Sequence, residues 1–291
     1  MENQKTQCFA ERSTWQLIVF RFSKNRLAMV GVIVLGLMIM AILLAPLYMP
    51  YDEMIRQDVF NKLHPPSAQH PLGTDELGRD LLARVLYGGR ISLFGGMATI
   101  TIAFVAGCII GGTAGFVGGK VDTVLMRIID MLMAIPPVLM AMAILTALGN
   151  GLVNLIISLA ISQIPRFARV VRSSVLTLRG MEYVDAARCY GCNSLKIIIR
   201  HILPNGIGPI VVAATLTLGQ IILSISSMGF LGLGVAPPTP EWGTIISENK
   251  LNLRYCPYLG IAPGICICLV VMAVNFIGDG LRDAFDPKTK N

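Results

Sequence analysis

The chain has 291 residues, of which 54% are hydrophobic and only 14% charged. Soluble globular domains carry about 25% charged residues, so this balance excludes a soluble enzyme, a disordered chain and a coiled coil. The net charge of +7 rests on 24 basic and 17 acidic residues, and the seven cysteines lack the spacing and size context of a small secreted disulfide scaffold.

A helix that crosses a bilayer needs roughly 20 mainly apolar residues, because each residue rises about 1.5 Å and the hydrocarbon is about 30 Å thick. In chain order, Leu27 to Tyr51 has no formal charge, and neither has Ile91 to Gly119. Met131 to Pro165 is uncharged but interrupted at Gly149-Asn150-Gly151, and the runs Ile202 to Pro240 and Tyr255 to Gly278 follow. These runs predict an all-α polytopic membrane protein with six spans, near 28–48, 91–116, 124–148, 152–168, 209–231 and 257–278. Five and seven spans are the alternatives, since the fourth is short and ends near Pro165. The first span is too long for a signal-peptide core, and no small-x-small cleavage site follows it. The chain then divides into an N-terminal tail, first helix and outer segment (1–90) and a core of five helices (91–291) that includes an inner loop at 169–208.

Orientation follows from the basic residues between spans. With the N-terminus inside, the inner segments hold 17 of the 24 Lys and Arg and a net charge of +9, against −1 outside. Both termini are therefore expected in the cytoplasm. Basic residues beside apolar spans read as this topology signal, not as a nucleic-acid site.

Within the spans, Gly107, Gly111 and Gly115 recur every four residues on one helix face, which suits close helix packing or the wall of a pathway. Pro136-Pro137 predicts a kink in the third span, either structural or a hinge. Asp130 lies about six residues into that span, and Arg127, three residues earlier, is its expected partner at the cytoplasmic boundary. Cys189-x-x-Cys192 has no second pair, Cys266-x-Cys268 points to different helix faces, and His64, His70 and His201 are dispersed, so no four-ligand metal set is expected. The Pro237 to Gly243 run predicts a stiff turn with Trp242 near the membrane interface.

The inner loop carries seven basic residues from Arg166 to Arg200 and two acids. Arg166, Arg169 and Arg172 are spaced to line one helix side and reach lipid phosphates. Thr177 to Gly191 reads as a short helix, Gly191 as its end, and a second short helix starts at Asn193 or Ser194 and stops at Pro204. A helix–glycine–helix unit with Ala186, Ala187, Met181, Tyr183 and Tyr190 reads as a docking element. Neither GxxxxGK[ST] nor GxGxxG occurs, so any ATP hydrolysis belongs to a separate subunit.

Asp185-Ala186-Ala187, three residues, Gly191, nine residues and His201-Ile202-Leu203-Pro204 resemble the E-A-A-x3-G-x9-I-x-L-P motif of permeases in binding-protein-dependent ABC importers. Asp replaces the motif's Glu and His its Ile, leaving five of seven fixed positions matched. The strings His70 to Asp80, Gly229 to Gly234, Pro237 to Gly243 and Gly278 to Ala284 are similar to the dipeptide, oligopeptide and nickel branch, second permease type. The resemblance implies a type I importer fold of the methionine-permease kind. It implies a coupling helix over 182–196, with Glu182, Asp185, Ala186, Ala187, Gly191 and Pro204 as its marker residues. It also implies a second permease chain, two ATPase subunits holding ATP and Mg, an extracytoplasmic peptide-binding protein and surrounding lipid. No catalysis or cofactor is expected in this chain, which would sit in a bacterial inner membrane and pass dipeptides or short oligopeptides. A nickel importer is the alternative, and an ion-coupled secondary transporter the alternative of another class; the latter would need repeats and embedded ionisable groups.

Overall fold

The computed structural model describes residues 14–286. The N-terminal tail to residue 13 and the last five residues lie outside the described residues, together with Lys5, Arg12, Lys288, Lys290, Glu2 and Glu11 of the charge count.

Helix α1 (Thr14–Lys24) is followed after one residue by α2 (Arg26–Tyr48). That residue, Asn25, is extended, and its side chain accepts from the Ala28 N–H at 3.1 Å, which caps α2. Pro46 lies inside α2. It has no N–H for the Ile42 carbonyl one turn back. Arg90 supplies the missing donor, with Nε on Ile42 O at 3.2 Å and Nη2 on Leu43 O at 3.4 Å.

A short helix, α3 (Tyr51–Ile55), and an irregular folded segment lead to α4 (Leu81–Val117). Asp80 caps α4 by accepting from Ala83 N–H at 2.9 Å. The helix has 37 residues, about 55 Å at 1.5 Å per residue, and so outruns the hydrocarbon at one end or both. Gly118, at φ +68°, breaks it. Helices α5 (Gly119–Met133) and α6 (Pro137–Leu148) then meet at 87° across Pro136, where two prolines in succession prevent continuation.

Helix α7 (Leu152–Leu178) is unbroken through Pro165. Two short helices, α8 (Glu182–Cys189) and α9 (Ser194–Ile197), and a π-helical turn at Ile198–Ile202 precede α10 (Ile207–Phe230). Helices α11 (Trp242–Glu248) and α12 (Tyr258–Phe285) complete the fold.

The span count corrects the expectation of six. Four helices, α2, α4, α10 and α12, are long and apolar enough to cross a membrane, and the bent pair α5–α6 makes five if it counts as one span. The expected span at 152–168 falls within α7, which has the length but carries Arg166, Arg169, Arg172, Asn154 and Gln163 along it. A charge at mid-helix costs about 2.5–3.5 kcal/mol on insertion scales. The protein covers this helix instead: Leu155, Leu159, Phe167, Ala168, Val171 and Val175 are all buried.

The α4–α7 seam is built on glycine. A Cβ at Gly107 would stand 2.3 Å from the Phe167 Cβ, one at Gly111 2.2 Å from the Ala168 carbonyl oxygen, and one at Gly115 2.9 Å from the Val175 Cβ. Absent side chains let the two backbones touch. Helix α12 approaches α2 by the same device, since a Cβ at Gly280 would lie 2.4 Å from the Ala28 Cβ. The described chain ends meet there: Trp15 sets its ring edge-on to Phe285 at 6.5 Å, and Asn25 donates to Asp283 at 3.2 Å.

Trp242 is fully buried. Its indole N–H donates to Val85 O at 2.8 Å, and its ring fills the space left by Gly88 and Gly89 on α4.

Candidate docking site

The helix–glycine–helix unit is anchored from below. Val184 and Ala187, one turn apart on α8, are buried against Val171 and Val175 of α7 and Ile197, Ile202 and Ile210. The opposite face is open: Glu182, Tyr183, Asp185, Ala186 and Arg188 are exposed, and Tyr190 is 90% exposed. Leu195 and Ile199 extend this uncovered apolar surface. Ala187 thus serves the anchor, whereas Ala186 faces out.

Glu182 and Asp185 occupy the first turn of α8 and Arg188 the last, which suits the helix dipole. Asp185 and Arg188 pair at 3.2 Å, but both are about half exposed, so the pair adds little stability. Arg188 also lies over the Phe116 ring at 5.3 Å, against the end of α4.

Gly191 ends the unit's first helix at φ +76°, a conformation that L side chains avoid. The Cys192 N–H reaches back to Ala187 O and the Gly191 N–H to Arg188 O, the two bonds of a Schellman-type stop. No atom lies within 4 Å of a Cβ placed at Gly191, so conformation and not space demands the glycine. Asn193 caps α9 through Leu195 N–H at 3.4 Å. Pro204 is exposed in the turn before α10. The helix expected from Thr177 is divided at Gly180: α7 runs to Leu178, and α8 begins at Glu182.

The arginines leading into the unit all have partners on the protein. Arg172 grips Asp122 of α5 through Nε at 2.5 Å and Nη2 at 2.6 Å. Arg169 pairs with Asp130 at 2.7 Å, Arg166 donates to Gln220 of α10 at 2.5 Å, and Arg179 donates to Gly115 O of α4 at 2.9 Å. The expected Arg127–Asp130 pair does not form: Asp130 turns to Arg169 across the helix interface, and Arg127 is exposed. Gly107, Gly111 and Gly115 face α7 beside these arginines, and Pro136-Pro137 sits at the α5–α6 bend beyond them.

The opposite end of the bundle holds buried charge that the sequence reading missed. Asp75 accepts from Arg79 at 2.7 Å and Arg84 at 2.8 Å, and Glu248 of α11 accepts from the same two arginines at 2.8 and 2.7 Å. Asp75 and Arg84 are fully buried. Nearby, buried Glu241 accepts from Ser92, Ser226 and the Thr244 backbone at 2.9–3.1 Å, joining α4, α10 and α11. The Asp75/Arg79 spacing of four, followed by Arg84, was a signal for local pairing; Glu248, 164 residues on, had none. Among the described residues no group of three or more His, Cys, Asp or Glu is placed to hold a metal.

The family model described as "Binding-protein-dependent transport system inner membrane component" matches residues 91–291, and the "N-terminal TM domain of oligopeptide transport permease C" matches residues 13–66. The dipeptide transport system permease protein DppC of Alkalihalophilus pseudofirmus is 42% identical over 96% of this chain and 91% of its own length. The di/tripeptide permease DppC of Pseudomonas aeruginosa is 41% identical over 93% and 91%, and the glutathione permease GsiD of Pectobacterium atrosepticum 39% over 96% and 93%. An inward-facing MetNI methionine ABC transporter shares the fold at a TM-score of 0.56 and 21% identity, covering 71% of this chain and 97% of that one. The chain belongs to the binding-protein-dependent transport system inner membrane components, as a non-catalytic, multi-pass permease subunit of an ABC importer.

Proposed function

We propose that this permease carries dipeptides or short oligopeptides inward, paired with a second permease chain. In this reading two ATPase subunits close on ATP, their motion enters this chain where residues 182–196 sit in a cleft on the ATPase subunit, and an extracytoplasmic binding protein delivers the peptide at the opposite end. The dipeptide, di/tripeptide and glutathione transport of the DppC and GsiD relatives supports the substrate class.

The observation that carries the coupling role is the unit's two-sided build. Its exposed face offers acids and apolar side chains to a partner, while Val184 and Ala187 seat it on α7. From α7 the four arginines lead outward: Arg179 to α4, Arg172 and Arg169 to α5, and Arg166 to α10. A push on α8 therefore reaches three other helices through charged or hydrogen-bonded struts.

The test is reconstitution of the full importer in proteoliposomes, with ATP hydrolysis and labelled dipeptide uptake measured together. Asp185→Lys reverses charge on the open face, and Gly191→Trp forces a side chain into the left-handed region at a cost of roughly 1–2 kcal/mol. Both are expected to lower peptide-stimulated hydrolysis while the complex still assembles. Normal hydrolysis and uptake in both variants would remove the coupling role. Uptake of radioactive nickel without dipeptide uptake by the wild type would replace the substrate.

A further inference from the structure

We propose that the groove between α2, α4 and α10 holds an acyl chain of a membrane phospholipid, with the lipid phosphate against Arg90. The groove is walled almost wholly by carbon, with Ile39 and Leu43 on α2, Phe94 and Met97 on α4, and Leu218 and Ile222 on α10. Leu43, Phe94 and Met97 are exposed by half or more, so the groove opens outward from the bundle. In a chain that crosses the bilayer, such an opening meets lipid or another protein.

Arg90 decides between them. It stands one helical turn before Phe94 on α4, on the side of the bundle away from the 182–202 segment. Its hydrogen bonds to Ile42 O and Leu43 O fix it where the groove's α2 wall begins. Its guanidinium also lies over the Tyr87 ring, at 5.2 Å. Among the described residues no carboxylate forms an ion pair with it. The two carbonyls use two of the five guanidinium N–H groups, leaving donors and a full positive charge at the mouth of an apolar slot. A phosphate above a hydrocarbon chain complements that pairing of charge and carbon. The apolar body of a neighbouring helix would fill the slot but leave the cation unanswered.

The assembled permease complex is reconstituted in nanodiscs of phosphatidylcholine doped with phosphatidylglycerol bearing a mid-chain diazirine. After illumination, labelled peptides are counted by mass spectrometry. The expected result is labelling within 35–43 and 93–97 that falls about fivefold in Arg90→Gln, the worth of one basic residue at a membrane surface. In Met97→Trp the indole fills the slot, and labelling of 35–43 is lost. Met97 is exposed, so this variant tests the proposal even if Arg90→Gln fails to assemble. Equal labelling in wild type and either assembled variant overturns the proposal and leaves ordinary annular lipid. Absent labelling in wild type also overturns it, and a cross-link from Phe94→Cys to another chain would then identify a protein interface.

Discussion

Adding one methyl group at Gly111 should loosen the bundle at the glycine seam between α4 and α7. In Gly111→Ala the new Cβ falls 2.2 Å from the Ala168 carbonyl oxygen and 3.0 Å from both Ala168 C and Arg172 N. All three are backbone atoms, so no side chain can swing aside. Ordinary contact begins at 3.4 Å, so α4 and α7 must part by about 1 Å. Overpacking of this kind costs about 1–3 kcal/mol. The same movement would stretch the 2.9 Å bond from Arg179 to Gly115 O past useful length, at a cost of about 1 kcal/mol more. The assay is thermal unfolding of the purified permease complex in detergent, followed by intrinsic fluorescence. A total near 2–4 kcal/mol predicts a fall of roughly 4–16 °C, taking about 2–4 °C per kcal/mol, the value for domains of about 150–250 residues. Gly112→Ala is the control, because its Cβ meets only Ile198 Cγ2 at 3.7 Å. There the alanine should be neutral or stabilise the helix by up to about 1 kcal/mol. Equal midpoints for the two variants would refute the packing argument.

Two further outcomes follow from the charged contacts. Asp75→Asn leaves two buried guanidinium groups sharing Glu248, and should destabilise the complex by about 3–5 kcal/mol in the same unfolding assay; a shift below about 1 kcal/mol would mean the network is not buried. Arg172→Ala should uncouple ATP hydrolysis from uptake more strongly than Arg169→Ala, because Arg172 makes a two-pronged, partly covered contact whereas the Arg169–Asp130 pair is more than half exposed. Equal coupling ratios in reconstituted importers would count against α7 as the transmitting helix.

The apolar spans were legible because lipid demands long uncharged runs, and α2, α4, α10 and α12 meet that demand without ambiguity. Helix α7 was misread because span counting treats each segment alone. Its arginines are tolerated through Asp122, Asp130 and Gln220, which lie 39–54 residues away in sequence. The same distance defeated the Arg127–Asp130 reading: neighbours in sequence lost to a partner on a packed helix. Gly191 was legible as a helix end because its role is local, a positive φ that the chain itself requires. The burial of Trp242 had no local signal, since its pocket is opened by Gly88 and Gly89 on α4. Glu241 and Glu248 gave no warning, since their partners are brought together only by the fold.

The cluster around Asp75 also bears on how the chain is made. Asp75, Arg79 and Arg84 leave the ribosome within ten residues of one another and can close locally at once, while Glu248 follows 164 residues later. Until α11 is synthesised, two arginines share a single carboxylate beside the membrane. The last third of the polypeptide therefore completes a lock whose first half was laid down near the start, and a product truncated before Glu248 would expose unbalanced positive charge to the cell's quality-control proteases.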